Sequence, residues 1–426
     1  MRSLRLTLAL SLTCLASASA FGSGFLIPEQ GAKASSMAGA FVATADDPSA
    51  IFFNPAGIAQ QRQLSVLAGA TIINFSNEFT GDPNSPVTAG LEGEYNRHTF
   101  NIPNMYAVVP IGNNLSVGIG VYAAFGLRSD WEDPWAGRYI SKDADLKTTS
   151  VNPAIAWQTS DGRLAIGAGL EYRRARVILN ANRMALNPFN GRIVDVANTR
   201  LASEYGSDIG WNAGILFKPS DRFRLGASYR TGMDIDLEGE AEITPISTGN
   251  AQFDAIIRTQ LPPNQSINTT FPFPSIATIG VAFSPVETWD VELDVMRTAW
   301  SSFEALTVNF ETTPSASFTR EQNWEDSTSY RIGLNHNATE NWDVRLGALY
   351  DENPQPVEAV SPLLPDSDRI GATFGAGWHR GHFVADAGLM VLHFKDRSTQ
   401  GLNPEGFNGE YETDATLFFA NLGYRF

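Results

Sequence analysis

The chain has 426 residues and a formal net charge of −16, from 30 basic against 46 acidic residues. Such a polyanion repels phosphates, which argues against a nucleic-acid partner. A single cysteine excludes a disulfide framework and any cysteine-based zinc site. With 43% apolar, 11% aromatic and only 18% charged residues, the chain is too well supplied with core-formers to be disordered. Its length suits two or three soluble domains or one large barrel.

The first twenty residues read as a secretory signal peptide. Arg2 and Arg5 give a positive start, Leu4 to Leu15 is mostly apolar, and Ala18-Ser19-Ala20 offers small residues to a signal peptidase. Ser11-Leu12-Thr13 ahead of Cys14 makes a poor lipoprotein box, so cleavage is expected after Ala20. That removes the one cysteine and leaves a secreted chain held by backbone pairing and packing alone.

Residues 21–60 lack strand alternation. Gly31 to Ala40 is rich in small residues and compatible with a helix, and Asp46-Asp47-Pro48 and Asn54-Pro55-Ala56-Gly57 follow. Either this is a flexible periplasmic tail or it plugs a wide barrel. Phe52, Phe53 and Ile58 need burial, which favours the plug.

From residue 61 onward, period-two alternation dominates. A first strand is expected over about Leu64 to Phe79. The longest uncharged stretch, Ile102 to Leu127, is broken by Asn104, Pro110, Gly112, Asn113 and Asn114, so it reads as two strands and a turn rather than a membrane helix. The third strand, about Leu115 to Leu127, carries Gly118, Gly120 and Gly126. Further on, Ile193, Val196, Ala197 and Leu201, and again Phe253, Ile256, Ile257 and Leu261, follow the i, i+3, i+4, i+8 spacing of a helix face. Both lie in long connections, where an apolar stripe must cover its partner or a ligand; Phe189 could join them. In Trp289 to Thr298 and Trp342 to Asp351, one face is apolar and the other carries charge and small residues. The chain ends on Phe418, Ala420, Leu422, Tyr424 and Phe426, all on one face, the ending that barrel-insertion machinery reads in bacterial outer membranes.

Alternation alone does not say which face is inside, because a sandwich buries its apolar face and a membrane barrel exposes it to lipid. Three features favour the membrane: aromatics at both ends of apolar faces, strands longer than globular ones, and alternating short and long connections. Six tight turns, at Asn113-Asn114, Ser160-Asp161-Gly162, Ser220-Asp221, Glu287-Thr288, Glu340-Asn341 and Arg380-Gly381, give six hairpins. With one strand before and one after, the expected fold is all-β: a fourteen-stranded antiparallel transmembrane barrel over residues 61–426, closed so that no backbone group is unpaired in lipid. The expected location is the bacterial outer membrane, among its lipids, as a monomer.

The run from Ala43 to Ala59, followed by a barrel, resembles the FadL family of outer-membrane long-chain fatty acid transporters. Ala124 to Trp131, Gly210 to Leu216, Trp300-Ser301-Ser302-Phe303, Tyr330-Arg331-Ile332 and Pro365 to Arg369 agree with that family and keep its order. The resemblance implies an N-terminal lumenal hatch, with Asp46, Asp47, Asn54, Pro55 and Ala56 in its motif region. It also implies a groove between external loops, a lumenal pocket, and a sideways exit at a kinked third strand. Gly118, Gly120 and Gly126 suit such a kink, or else close packing against the hatch. The two helix-spaced stretches fall in the loops that form the groove in the family.

A fatty acid's carboxylate needs a cation, and arginine's fork suits it. Alternation places Arg173, Arg331 and Arg345 in the lumen and Arg320 near the external mouth; Arg173 and Arg320 are the candidates. Glu171, Glu292, Asp294 and Asp343 are also lumenal, so ladders of opposite charge are the competing account. Five scattered histidines and no Gly-x-Ser-x-Gly elbow argue against an enzyme, and no cofactor or metal is expected. The remaining alternatives are uptake of aromatic hydrocarbons and a general porin, which would lack a hatch.

Overall fold

The computed structural model describes residues 24–426, so the expected signal peptide, 1–20, lies outside the described residues. Fourteen strands cross in order. They are β1 (Ser65–Gly81), β2 (His98–Ile111), β3 (Leu115–Tyr122 and Gly126–Asp130), β4 (Asp143–Gln158), β5 (Leu164–Asn187), β6 (Gly206–Ser220) and β7 (Phe223–Arg230, continuing as Met233–Pro245). Then come β8 (Gln265–Phe273 and Ile276–Val286), β9 (Trp289–Thr298), β10 (Ser327–Asn337), β11 (Trp342–Asp351), β12 (Arg369–Arg380), β13 (Phe383–Phe394) and β14 (Gly409–Arg425). Each pairs antiparallel with the next, and β14 returns to pair with β1 from Ser65↔Arg425 to Gly81↔Gly409, closing the barrel. The six tight turns fall where the sequence places them.

Burial decides which face is inside. On β5, Leu170 is 61% exposed while its neighbour Glu171 is fully buried. The same inversion recurs around the wall: Ile209, Ile279 and Leu422 face out, and Arg173, Glu292, Asp294, Arg345 and Asp351 are buried inside. Charged side chains inside and aliphatic ones outside are the pattern of a sheet whose solvent is lipid.

The interior is filled by residues 24–60. They form two single-turn helices, α1 (Ala32–Ser35) and α2 (Ala50–Phe53), and a 3-10 turn, Pro55–Gln60. Of the apolar residues expected to need cover, Ile58 is fully buried, as are Ile51 and Phe41, whereas Phe52 and Phe53 are only partly buried.

β3 is broken at residues 123–125, and β2 pairs with it only from Met105 to Ile111. The backbone freed at the break pairs instead with the start of the hatch: Ile27 N donates to Ala124 O (2.8 Å) and Gly126 N to Phe25 O (2.9 Å). Further out, Asn96 N donates to Asp130 O at 2.8 Å and restores contact across the gap.

Candidate functional site

The hatch is held by side chains of the wall aimed at its backbone. On β9, Asp294 Oδ2 accepts from Phe41 N (2.8 Å) and Val42 N (2.9 Å). Two residues earlier, Glu292 accepts from Ala43 N (2.6 Å), Thr44 N (3.1 Å) and the Thr44 hydroxyl. Alternation brings both carboxylates to one face, where each holds one pair of consecutive amides in the turn. Arg331 Nη1 donates to Ala38 O (2.9 Å), Thr373 Oγ1 to Ser36 O (2.8 Å) and Asn212 Nδ2 to Ile51 O (3.0 Å). Buried amides need acceptors, and here the lumen supplies them.

Asn54 is the centre of the hatch motif. Its Oδ1 accepts from Ala56 N (3.1 Å), and its Nδ2 donates to Val42 O (2.8 Å) and to Ile215 O of β6 (3.1 Å). One amide thus ties the 3-10 turn to the rest of the hatch and to the wall. Pro55 and Ala56 press on β5: a Cβ on Gly167 would lie 2.5 Å from Ala56 N and Pro55 C. Asp47 accepts from Ser49 N (2.8 Å), and burial pushes its carboxyl up to about 6. Asp46 pairs with Lys33 (2.7 Å) on the turn side of the barrel.

Above the hatch is a mostly apolar pocket lined by Phe25, Leu127, Leu146, Val177, Leu179, Phe271, Phe303, Leu306 and Leu363, with Asp145 and Gln322 as its polar members. It shares Leu179, Leu306 and Leu363 with an outer cleft that also includes Tyr139, Ile140, Arg183, Leu201, Phe318 and Arg320. Phe25, at the start of the hatch, forms the floor within an aromatic cluster, its ring centroid 5.4 Å from Phe271, 5.6 Å from Phe303 and 4.5 Å from Trp300.

Beside that cluster sits Arg173, fully buried. Its Nη2 donates to Glu171 Oε1 at 2.7 Å, and its guanidinium carbon stacks over Phe125 (4.6 Å) and Phe273 (5.2 Å). Among the described residues, Nη1 has no hydrogen-bond partner. Glu171 also meets Arg230, which donates to Phe52 O (2.9 Å) and Tyr122 OH (2.7 Å).

The profile described as "Outer membrane protein transport protein (OMPP1/FadL/TodX)" matches residues 13–426. The chain belongs to this family. Among curated relatives, the long-chain fatty acid transport protein of Salmonella typhi is 26% identical, covering 90% of this chain and 89% of its own. A FadL homologue from Pseudomonas aeruginosa superposes with a TM-score of 0.83 at 21% identity, covering 95% of this chain and 100% of its own. The P. putida toluene transporter TodX gives 0.75 at 17% identity, over 93% of this chain and 98% of its own. As an OMPP1/FadL/TodX member with a closed barrel, the protein is an outer-membrane protein.

Within this family frame, one expected element is overturned. Ile193, Val196, Ala197 and Leu201 do not form a helix; they lie in a strand, Arg192–Ser203, paired with the outer half of β5 and with β7. The open edge of the long β5 hairpin offers backbone partners, and Ile193, Val194, Val196 and Thr199 are β-branched, which favours extension over helix. Phe253, Ile256, Ile257 and Leu261 do follow their spacing, in and just after helix α3 (Ala251–Gln260), capped by the Asn250 side chain.

The stripe of α3 covers protein: Phe253 and Ile257 pack on Val196, with Leu261 at the edge. Phe189, Ile193 and Ile256 stay exposed, and Leu201 alone of the predicted groove residues lines the cleft. Arg320 also lines the cleft, paired with Glu405 at 3.0 Å.

The break in β3 falls between Gly120 and Gly126. Gly118 and Gly120 make room for Ile51 of the hatch, whose side chain would meet an added Cβ at 2.9 and 3.1 Å. Alternation puts Glu292 and Asp294 in the lumen, but their role is not in a charge ladder: both accept from hatch amides. Arg183, which no sequence pattern singles out, also lines the cleft and donates from Nε to Thr199 Oγ1 (2.9 Å). No sequence signal showed which loop would lie beside it.

Proposed function

We propose that the protein carries long-chain fatty acids, or hydrophobic molecules of similar bulk, inward across the outer membrane without an energy source of its own. A ligand enters the outer cleft, descends along Leu179, Leu306 and Leu363, and settles on Phe25. The observation that carries this reading is the run of apolar residues shared by cleft and pocket, which leads from a mouth that also holds Arg183 and Arg320 to the Phe25 floor, with the buried Arg173 stacked on the neighbouring Phe125 and Phe273. Arg173 Nη1 is the donor we assign to the carboxylate, with Arg183 and Arg320 as its first contacts at the mouth. The name of the Salmonella typhi relative supports the same ligand class.

Release must be built in. Each buried methylene contributes about 0.8 kcal/mol, so a sixteen-carbon tail held throughout would be bound by roughly 12 kcal/mol. The segment that floors the pocket, Phe25 to Ile27, also pairs with the break in β3. Withdrawing it would loosen the pocket and uncover the gap in one movement, letting the ligand leave sideways into the bilayer.

The aromatic rim of Phe25, Phe271 and Phe303 supports a second reading, uptake of monoaromatic hydrocarbons, in keeping with the name of the P. putida structure. Uptake of labelled oleate and labelled toluene by cells with and without the protein separates the two. Protein-dependent oleate uptake is expected. Dependence for toluene alone selects the second reading, and no dependence for either overturns both.

A further inference from the structure

The lipid-facing surface carries its charge unevenly. Towards the long-loop end, several strands face outward with carboxylates. Glu78 on β1 stands directly opposite Glu412 on one side and Glu94 on the other, and Asp234, Asp236, Glu238 and Glu240 alternate along β7. Around β5 the sign reverses. Its outward face runs Leu164, Ile166, Ala168, Leu170 and Tyr172, then Arg174 and Arg176. The climb from Leu164 to Tyr172 is about 20 Å at ~3.3 Å per residue and a tilt of about 40°, close to the height of a barrel's apolar band. Arg174 and Arg176 therefore stand at the outer headgroup level, just above the aromatic belt of Tyr172, Trp211 and Tyr229.

Both guanidiniums lie over one ring, that of Tyr205, at 4.8 and 5.3 Å from its centroid. Neither is paired with a carboxylate among the described residues. Lys147, the register partner of Arg176 on β4, adds a third cation, itself 3.2 Å from Asp145. Two arginines held together on one ring repel each other unless an anion lies between them, and their forks match phosphate oxygens. On a chain with a net charge of −16, a cationic patch facing lipid calls for a specific anionic neighbour.

We propose that Arg174 and Arg176, braced by Tyr205, bind the phosphate of an anionic lipid in the outer leaflet. The site is independent of the lumenal path, and it sits two strands from the break in β3, so the bound lipid would flank the sideways exit. The test uses the full mature protein in non-ionic detergent, titrated with bisphosphorylated lipid A and read by native mass spectrometry. Binding is expected to weaken at least tenfold in the double variant R174Q/R176Q. It should be unchanged in R297Q, an outward arginine of β9 already paired with Asp326. Heat-modifiable mobility in gels verifies that each variant is a folded barrel. Wild-type binding by the double variant, or equal binding of phosphate-free lipid A, overturns the proposal. So does displacement by inorganic phosphate at equal concentration, which would make the patch a free-anion site.

Discussion

The lower and upper halves of the barrel interior work by opposite rules. Below, Glu292, Asp294, Arg331, Thr373 and Asn212 each aim a polar group at a named backbone atom of the hatch. Above, Leu127, Leu146, Leu179, Phe271 and Leu306 make the pocket surface mostly apolar, with only Asp145 and Gln322 adding polar groups to its lining. Hydrogen bonds are directional and fix one geometry, whereas apolar contact accepts many shapes. The lower half is thus suited to hold one fixed segment and the upper half to receive ligands of varied outline. Phe25 joins them, being hatch by sequence and pocket floor by position.

Breaking the lower rule has the largest expected effect. Glu292→Ala with Asp294→Ala strips the acceptors from the amides of residues 41–44, and each buried amide left unpaired costs about 1–3 kcal/mol. The hatch should undock, and single-channel recordings in planar bilayers should show large, long-lived openings absent from the unaltered protein. Glu292→Gln keeps an acceptor oxygen and should open less often. If the double variant stays closed, the grip lies elsewhere.

Breaking the upper rule comes next. Leu306→Asp puts a charge at the junction of cleft and pocket, where burial without a partner is costly. Oleate and toluene uptake should both fall at least tenfold, with the channel still closed. A finer separation comes from Arg173→Met, which removes a charged donor worth about 1.5–3 kcal/mol. Binding of oleate should weaken tenfold or more, while binding of its uncharged methyl ester stays within twofold. Equal losses for both would assign Arg173 to structure alone.

Much of this was legible in the sequence. Period-two alternation located the spanning strands, and the tight turns fixed their count, because lipid on one side and lumen on the other force strict alternation. The contents of the lumen were less legible. Glu292 and Asp294 read as inward charges, yet the hatch amides they hold lie about 250 residues away in sequence, where no local pattern reaches. Ile193 to Leu201 misled because its apolar spacing fits a helix face, while the open edge of β5, a tertiary feature, drew it into a ladder. The cleft is assembled from Tyr139, Arg183, Leu201, Arg320 and Leu363, and only topology brings them together.

The smallest expected effect sharpens the comparison by titrating two buried carboxylates, Asp47 within the hatch and Asp366 against its start. Burial raises Asp47 from 3.8 to about 6, and likewise Asp366, the external-loop residue whose Oδ2 accepts from Gly24 N at 2.9 Å. A raised value in the docked state means that docked protein holds more protons between pH 4 and 6 than undocked protein does. By linkage, docking is tightest near pH 4, weakens as pH rises through 6, and is level above that. The bonds accepted from Ser49 and Gly24 already oppose the rise that burial imposes on each carboxyl. Channel-opening frequency should therefore rise from pH 4.5 to pH 7, and Asp47→Asn and Asp366→Asn should each flatten the profile. A fall in opening over that range would mean that these carboxylates hold the hatch chiefly as anions, which would place them with Glu292 and Asp294 among the grips.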